Sequence, residues 1–131
     1  KRRQRRPAAA TGVWRRRGPG TAAPMPETLV VDLEAREQEV WVLPRGELDL
    51  HTADELEQAL SIALSSEATR VVIDLRVLEF IDSAGLRSIV AACRGDGSGR
   101  LVLVPGPPAV QGVFNVSGLA PELPFLPGPG R

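Results

Sequence analysis

The sequence predicts one α/β domain: a mixed, mostly parallel sheet that opens on an antiparallel hairpin and carries about three helices. Short apolar runs alternate with helical periodicities in the order β-β-α-β-α-β-α, with room for one last short strand. Strands alternating with helices build parallel pairs through right-handed crossovers. The first two runs are separated only by the charged "AREQ", which suggests a hairpin. A length of 131 residues accommodates one domain with one modest core.

Each element has its own signal. "TLVVDLE" and "EVWVLPRG" are the hairpin strands, and Pro44, which cannot donate to a ladder, belongs near the strand end or on an edge. In "HTADELEQALSIAL", Thr52 followed three residues later by Glu55 has the form of a capping box. Ala53, Leu56, Ala59, Leu60, Ala63 and Leu64 then recur at helical spacing, with Asp54, Glu55, Glu57 and Gln58 facing out, which predicts a helix over 53–64. "RVVIDL" reads as a strand covered on both faces. "AGLRSIVAAC" places Leu86, Ile89, Val90 and Cys93 on one helical face, and "GDGSG" ends that helix. "RLVLV" is a further buried strand. In "PPAVQGVFNVSGL", Pro108 marks a helix start, Val110, Val113 and Phe114 share a face, and Gly118 is the left-handed stop with Leu119 behind it. A short strand fits around 123–126 before Pro and Gly end it.

A net charge of zero hides two opposite parts. Residues 1–25 carry Lys1 and seven arginines without an acid, and the remainder carries eight arginines against all 16 acids, so +8 faces −8. The first part, rich in Arg, Pro, Ala and Gly without hydrophobic period, reads as a disordered basic tail. The domain is expected over 26–126, with a Pro/Gly tail at 127–131. The only methionine, Met25, stands where the regular pattern begins. A lone Cys93 excludes an internal disulfide and fits a reducing cytoplasm. No apolar run approaches the roughly 20 residues that span a bilayer, and "PAAATGV" is too short for a signal peptide's apolar region.

The stretch "IDSAGLRS", residues 81–88, needs a separate account. In sheets of this kind, functional groups gather at the carboxyl ends of strands and the following helix starts. Ser83 is at such a corner, and so is "GELDLHT". A nucleophile elbow requires glycine two residues before and two after the serine; Gly85 is present, but Ile81 fills the earlier place. A triad also needs a histidine, and His51 is the only one. One Cys, one His and scattered acids have no metal-ligand spacing, and no Gly-Lys-Ser/Thr phosphate loop occurs. No catalytic set, cofactor or metal is expected. Capping by Ser83 or Asp82, worth about 1 kcal/mol, explains one polar residue. It does not explain Ala84 and Gly85, since Gly in a first turn costs stability; small residues there keep a flat, open surface that another protein can reach.

In order and spacing, "RGELDLHTADELEQAL", "VVIDLRVLEFIDSAGLRSIV", "RLVLV" and "PPAVQGVFNVSGL" resemble the STAS domain of bacterial anti-sigma-factor antagonists, over about residues 28–126. "GELD" and the run from Asp74 through "FIDSAGL" are the most specific parts. The resemblance implies a STAS-like fold and partner switching. The unmodified antagonist binds an anti-sigma factor that is a serine kinase, and so frees a sigma factor. The kinase phosphorylates the serine directly after the motif's Asp, which corresponds to Ser83, and a phosphatase resets it. Asp49 of "GELD" matches a family acid near that serine. The implied partner surface is Asp49, Asp82, Ser83, Ala84, Gly85 and Arg87, in a cytoplasmic protein. Three departures stand out: the segment 85–101 is a couple of residues short, so the second helix should end early; the family's usual last helix is missing; and Arg87 is bulkier than the small residue often found there. Two other readings are a STAS regulatory subunit of a membrane transporter or stress complex, without phosphorylation, and nucleic-acid binding through the basic tail. The −8 of residues 26–131 argues against nucleic acid for the domain itself.

Overall fold

A computed structural model describes residues 28–127; the expectations for residues 1–25 and 128–131 lie outside that span. The hairpin forms as predicted. Strands β1 (Leu29–Arg36) and β2 (Glu39–Leu48) pair antiparallel, with Leu29 opposite Gly46 and Arg36 opposite Glu39. Helix α1 (Ala53–Ser65), strand β3 (Arg70–Asp74), strand β4 (Leu78–Ile81) and helix α2 (Ser83–Gly95) follow. Strand β5 (Leu101–Val104), helix α3 (Pro108–Ser117) and a 3₁₀ turn (Ala120–Glu122) complete the chain. Gly118 adopts φ 78° after α3, the left-handed stop expected of it.

The sheet runs β1-β2-β3-β5, with every pair after the hairpin parallel. The expected order places one strand, read from "RVVIDL", between the first two helices; the structure has two there. The run breaks into β3 and β4 because the Asp74 carboxylate turns the chain: its Oδ1 accepts the Arg76 N–H at 3.0 Å, and Arg76 returns its guanidinium at 3.0 and 2.8 Å. Burial alone would raise the Asp74 pKa; the Arg76 hydrogen bonds and charge outweigh it and hold the carboxyl below its usual range. Strands β3 and β4 then share one side of β2, β3 beside residues 39–42 and β4 beside 46–48. Pro44 stands inside β2, not at its end: Val31 of β1 is its partner on one side, and on the other it falls in the gap between the β3 and β4 registers. The last short strand is reduced to one bridge, Leu103 with Phe125.

Registers explain the core. Leu33, Val42, Ile73 and Leu103 are partners in a row across four strands and face one side. They join Leu56 and Leu60 of α1, Ile89 of α2, and Val110 and Phe114 of α3 in one buried cluster. The alternate row, Glu34, Trp41, Val72 and Val102, faces away. There the Arg36 guanidinium lies 4.0 Å over the Trp41 ring. The α1 carboxyl end has no basic residue of its own. Arg100, from the loop before β5, supplies the donors, to the carbonyls of Leu64 (2.5 Å), Ala68 (2.7 Å) and Ser66 (3.2 Å).

Leu86, Ile89 and Val90 are buried as predicted, while Cys93 is only partly so. Ile89→Asp places an unpaired carboxylate in the centre of this cluster, a cost of about 3–5 kcal/mol or more, comparable with the whole stability of a small domain. Loss of the cooperative thermal transition by circular dichroism is expected; a soluble variant with a native-like melt contradicts this placement of the helix.

Candidate functional site

The site forms where β2 and β4 end side by side. Leu48 is the register partner of Ile81, and the Asp82 N–H donates to the Leu48 carbonyl at 3.1 Å. The residues that follow each strand, Asp49 and Leu50 on one side and Asp82 and Ser83 on the other, therefore leave the sheet as neighbours. Chain order alone puts them more than 30 residues apart.

Asp82 is the N-cap of α2. Its backbone is extended (φ −111°, ψ −174°), and its Oδ1 accepts the Gly85 N–H at 2.9 Å. Ser83 is consequently the first helical residue, not the cap, and it is exposed. Among the described residues nothing hydrogen-bonds its hydroxyl.

Gly85 corrects the reading of a flat open surface. It is buried, and a Cβ there would lie 2.7 Å from the Leu48 carbonyl oxygen and 2.8 Å from Leu48 Cγ. Its smallness serves the close approach of α2 to the end of β2. Ala84 is half-buried, and Arg87, one turn further along, is exposed.

Asp49 organises the other side of the corner. Its Oδ1 accepts the N–H groups of His51 (2.9 Å) and Thr52 (3.1 Å), and its backbone carbonyl accepts those of Thr52 and Ala53. The capping box expected of Thr52 and Glu55 is replaced by this arrangement. Thr52 is buried in a helical conformation (φ −113°, ψ −5°), makes no side-chain cap bond, and turns its hydroxyl back to the Glu47 carbonyl at 2.9 Å. Satisfying that carbonyl at the strand end takes the hydroxyl away from the helix. Asp49 thus fixes the turn that leads into α1, whereas Asp82 caps α2 itself.

Three features were not singled out in the sequence. Leu50 and Phe80 are 70% and 47% exposed beside this corner; an apolar residue inside the polar "DLHT" turn was the available signal for the first, and Phe80 directly before the buried Ile81 for the second. Ser88, one turn along α2 on its inner side, donates to Glu57 of α1 at 2.8 Å and ties the two helices together. The Cys93 thiol lies on the far side of α2; burial, reinforced by Asp96, pushes its pKa up to about 11, which keeps it protonated near neutrality. No helix among the described residues is long and apolar enough to cross a membrane.

Residues 23–126 match the family model described as "Mlab, STAS domain". The chain belongs to the STAS domain family. It is 32% identical over 79 residues to the anti-sigma F factor antagonist of Lysinibacillus sphaericus, covering 58% of this chain and 68% of that protein. It spans about two thirds of the length of the curated relatives it matches first. Among solved structures, an anti-sigma factor antagonist from Mycobacterium paratuberculosis superposes with a TM-score of 0.71 at 28% identity, over 80% of this chain and 91% of that one. The anti-sigma factor antagonist SpoIIAA in its unphosphorylated form gives a TM-score of 0.60 at 28% identity, over 74% and 86%. The Bacillus cell fate determinant SpoIIAA in the phosphorylated form gives 0.55 at 27%, over 74% and 89%. This STAS domain has the mixed sheet and three helices expected of it.

The Gly85 contact is testable through its sign. On helix propensity alone, Gly85→Ala stabilises α2, by up to about 1 kcal/mol. Against the Leu48 carbonyl it overpacks, at about 1–3 kcal/mol. A net loss of melting temperature is expected; a variant melting at or above the native protein contradicts the close approach.

Proposed function

We propose that this STAS domain is an anti-sigma-factor antagonist. It binds an anti-sigma factor that is also a serine kinase, and phosphorylation of Ser83 switches the binding off. The observation that carries the reading is a free, exposed serine directly after the capping Asp82, held beside Asp49 by the pairing of β2 with β4. The names of the relatives and the likeness to SpoIIAA in both its forms support it. The partner surface is Asp49, Asp82, Ser83, Ala84 and Arg87, with Gly85 setting the helix in place beneath it. The binding unit is residues 26–126.

In the switching step, Ser83 Oγ bonds to the γ-phosphorus of ATP, the bond to the ADP oxygen breaks, and the hydroxyl proton passes to a base on the kinase. The phosphate adds about −1.5 to −2 charge. A helix N-terminus accommodates an anion, so the fold tolerates it. At a docked surface the same charge loses water, beside Asp82 and Asp49, without a partner designed for it. A penalty of about 3 kcal/mol lowers affinity more than a hundredfold. Release therefore needs no unfolding, and a phosphatase restores the binding form.

Ser83→Ala should fold like the native chain, take up no phosphate from kinase and ATP, and stay bound to the anti-sigma factor. Ser83→Asp should fold equally well and bind more weakly, because it sets a second carboxylate beside Asp82. Labelling of Ser83→Ala at the native rate places the acceptor elsewhere; equal affinities of the two variants contradict charge exclusion. A chain starting at Met25 should match the full chain in melting temperature and partner affinity, and a loss of several degrees or of binding assigns a role to residues 1–24.

A further inference from the structure

Arg87 is distinguished by what it lacks. The described residues contain seven arginines and no lysine. Arg36, Arg45, Arg70, Arg76 and Arg94 are paired with carboxylates, and Arg100 is spent on the α1 carbonyls. Arg87 alone among them has neither ion pair nor hydrogen bond, and it is exposed. It is thus the one uncommitted cation of the described residues, and it stands on α2 four positions after Ser83.

That spacing has a direction. Residues four apart on a helix are neighbours, about 5–6 Å between Cβ atoms. Helical side chains lean toward the N-terminus, so a long side chain at 87 extends over the turn that begins at 83. An anion placed N-terminal to its cation at this spacing is the favourable order. The other ionisable groups near this corner are Asp82 at the cap, Asp49 across it, His51 in the turn that Asp49 holds, and Glu57 of α1, which Ser88 holds; of these the carboxylates are Asp82, Asp49 and Glu57. All three repel a phosphate on Ser83; the start of α2 attracts it in every variant alike, and Arg87 is the side chain on that helix that adds attraction.

We propose that Arg87 is the internal counter-ion of a phosphate on Ser83. This rests on the reading of Ser83 as the phosphoacceptor, and it goes further. The modified serine is clasped along the outer face of α2, so phosphorylation both adds a charge to the docking surface and withdraws its one free cation. The unmodified form keeps Arg87 available to the partner; the modified form spends it internally.

The test needs neither kinase nor partner. Phosphoserine is installed at position 83 by semisynthesis in the native chain, in Arg87→Gln and in Arg87→Lys, and the second ionisation of the phosphate is followed by phosphorus NMR against pH at low salt. A nearby cation favours the dianion, so the midpoint in the native chain should lie roughly 0.15–0.4 unit below that in Arg87→Gln, with Arg87→Lys between them. The difference should collapse near 1 M salt, where the screening length is about 3 Å. Equal midpoints in the native chain and Arg87→Gln at low salt overturn the clasp, and Arg87 is then a solvated side chain. Because the phosphate is placed chemically, that result leaves the phosphoacceptor reading standing, whereas a kinase that ignores Ser83 removes that reading and leaves the clasp measurement intact.

Discussion

The approach of α2 to the end of β2 is the contact on which the rest of the molecule turns. The Leu48 carbonyl accepts the Asp82 N–H, and Gly85 packs against the same residue at a distance no side chain permits. Without this contact β4 has no fixed end and α2 no fixed start. With it, two acids and an exposed serine from separate segments occupy one corner. The arrangement depends on β2 being long enough to serve two strands in succession, β3 along its first half and β4 along its last three residues. Asp74 and Arg76 make the turn that lets the chain step from one to the other.

Much of this was readable in the sequence. Hydrophobic period placed the hairpin, all three helices and the core face of α2, because those elements bury one side and leave the other wet. What was not readable came from tertiary pairing. The run from Val71 to Ile81 looks continuous because both its pieces are covered; only the side-chain bond of Asp74 to the Arg76 backbone reveals the break. Thr52 and Glu55 satisfy the spacing of a capping box, yet the Thr52 hydroxyl answers the Glu47 carbonyl, a partner that exists only once β2 has ended there. Gly85 read as openness in one dimension and proved to be close packing in three.

The site itself was found by motif and position together, but its internal arrangement was not. Asp82 was named as one of two candidate caps, but the part of Asp49 in holding the turn before α1 was not foreseen. Leu50 and Phe80 were passed over because a single apolar residue in a loop or strand is ordinary, and only its exposure beside the corner distinguishes it. Arg87 drew attention for its bulk. Its significance rests on the commitments of every other described arginine, which no local pattern contains.

The division of labour between Asp82 and Ser83 shows why a switch can be built at this place. Had Ser83 been the cap, a phosphate on its hydroxyl would remove the bond that starts α2, and modification would act by loosening the fold. Because Asp82 takes the Gly85 N–H, the serine one position later holds nothing together. A phosphate there would break none of these bonds, since neither the Asp82–Gly85 bond nor that from Asp82 to the Leu48 carbonyl involves Ser83. Under the proposed function, the change is then one of surface charge and not of fold. A change of charge confined to an intact surface is felt by a docked partner at full strength and by the helix hardly at all, since the first turn of a helix favours an anion. Capping by the acid leaves the serine uncommitted, which the proposed regulation requires, and the adjacency of the two fits that physical requirement.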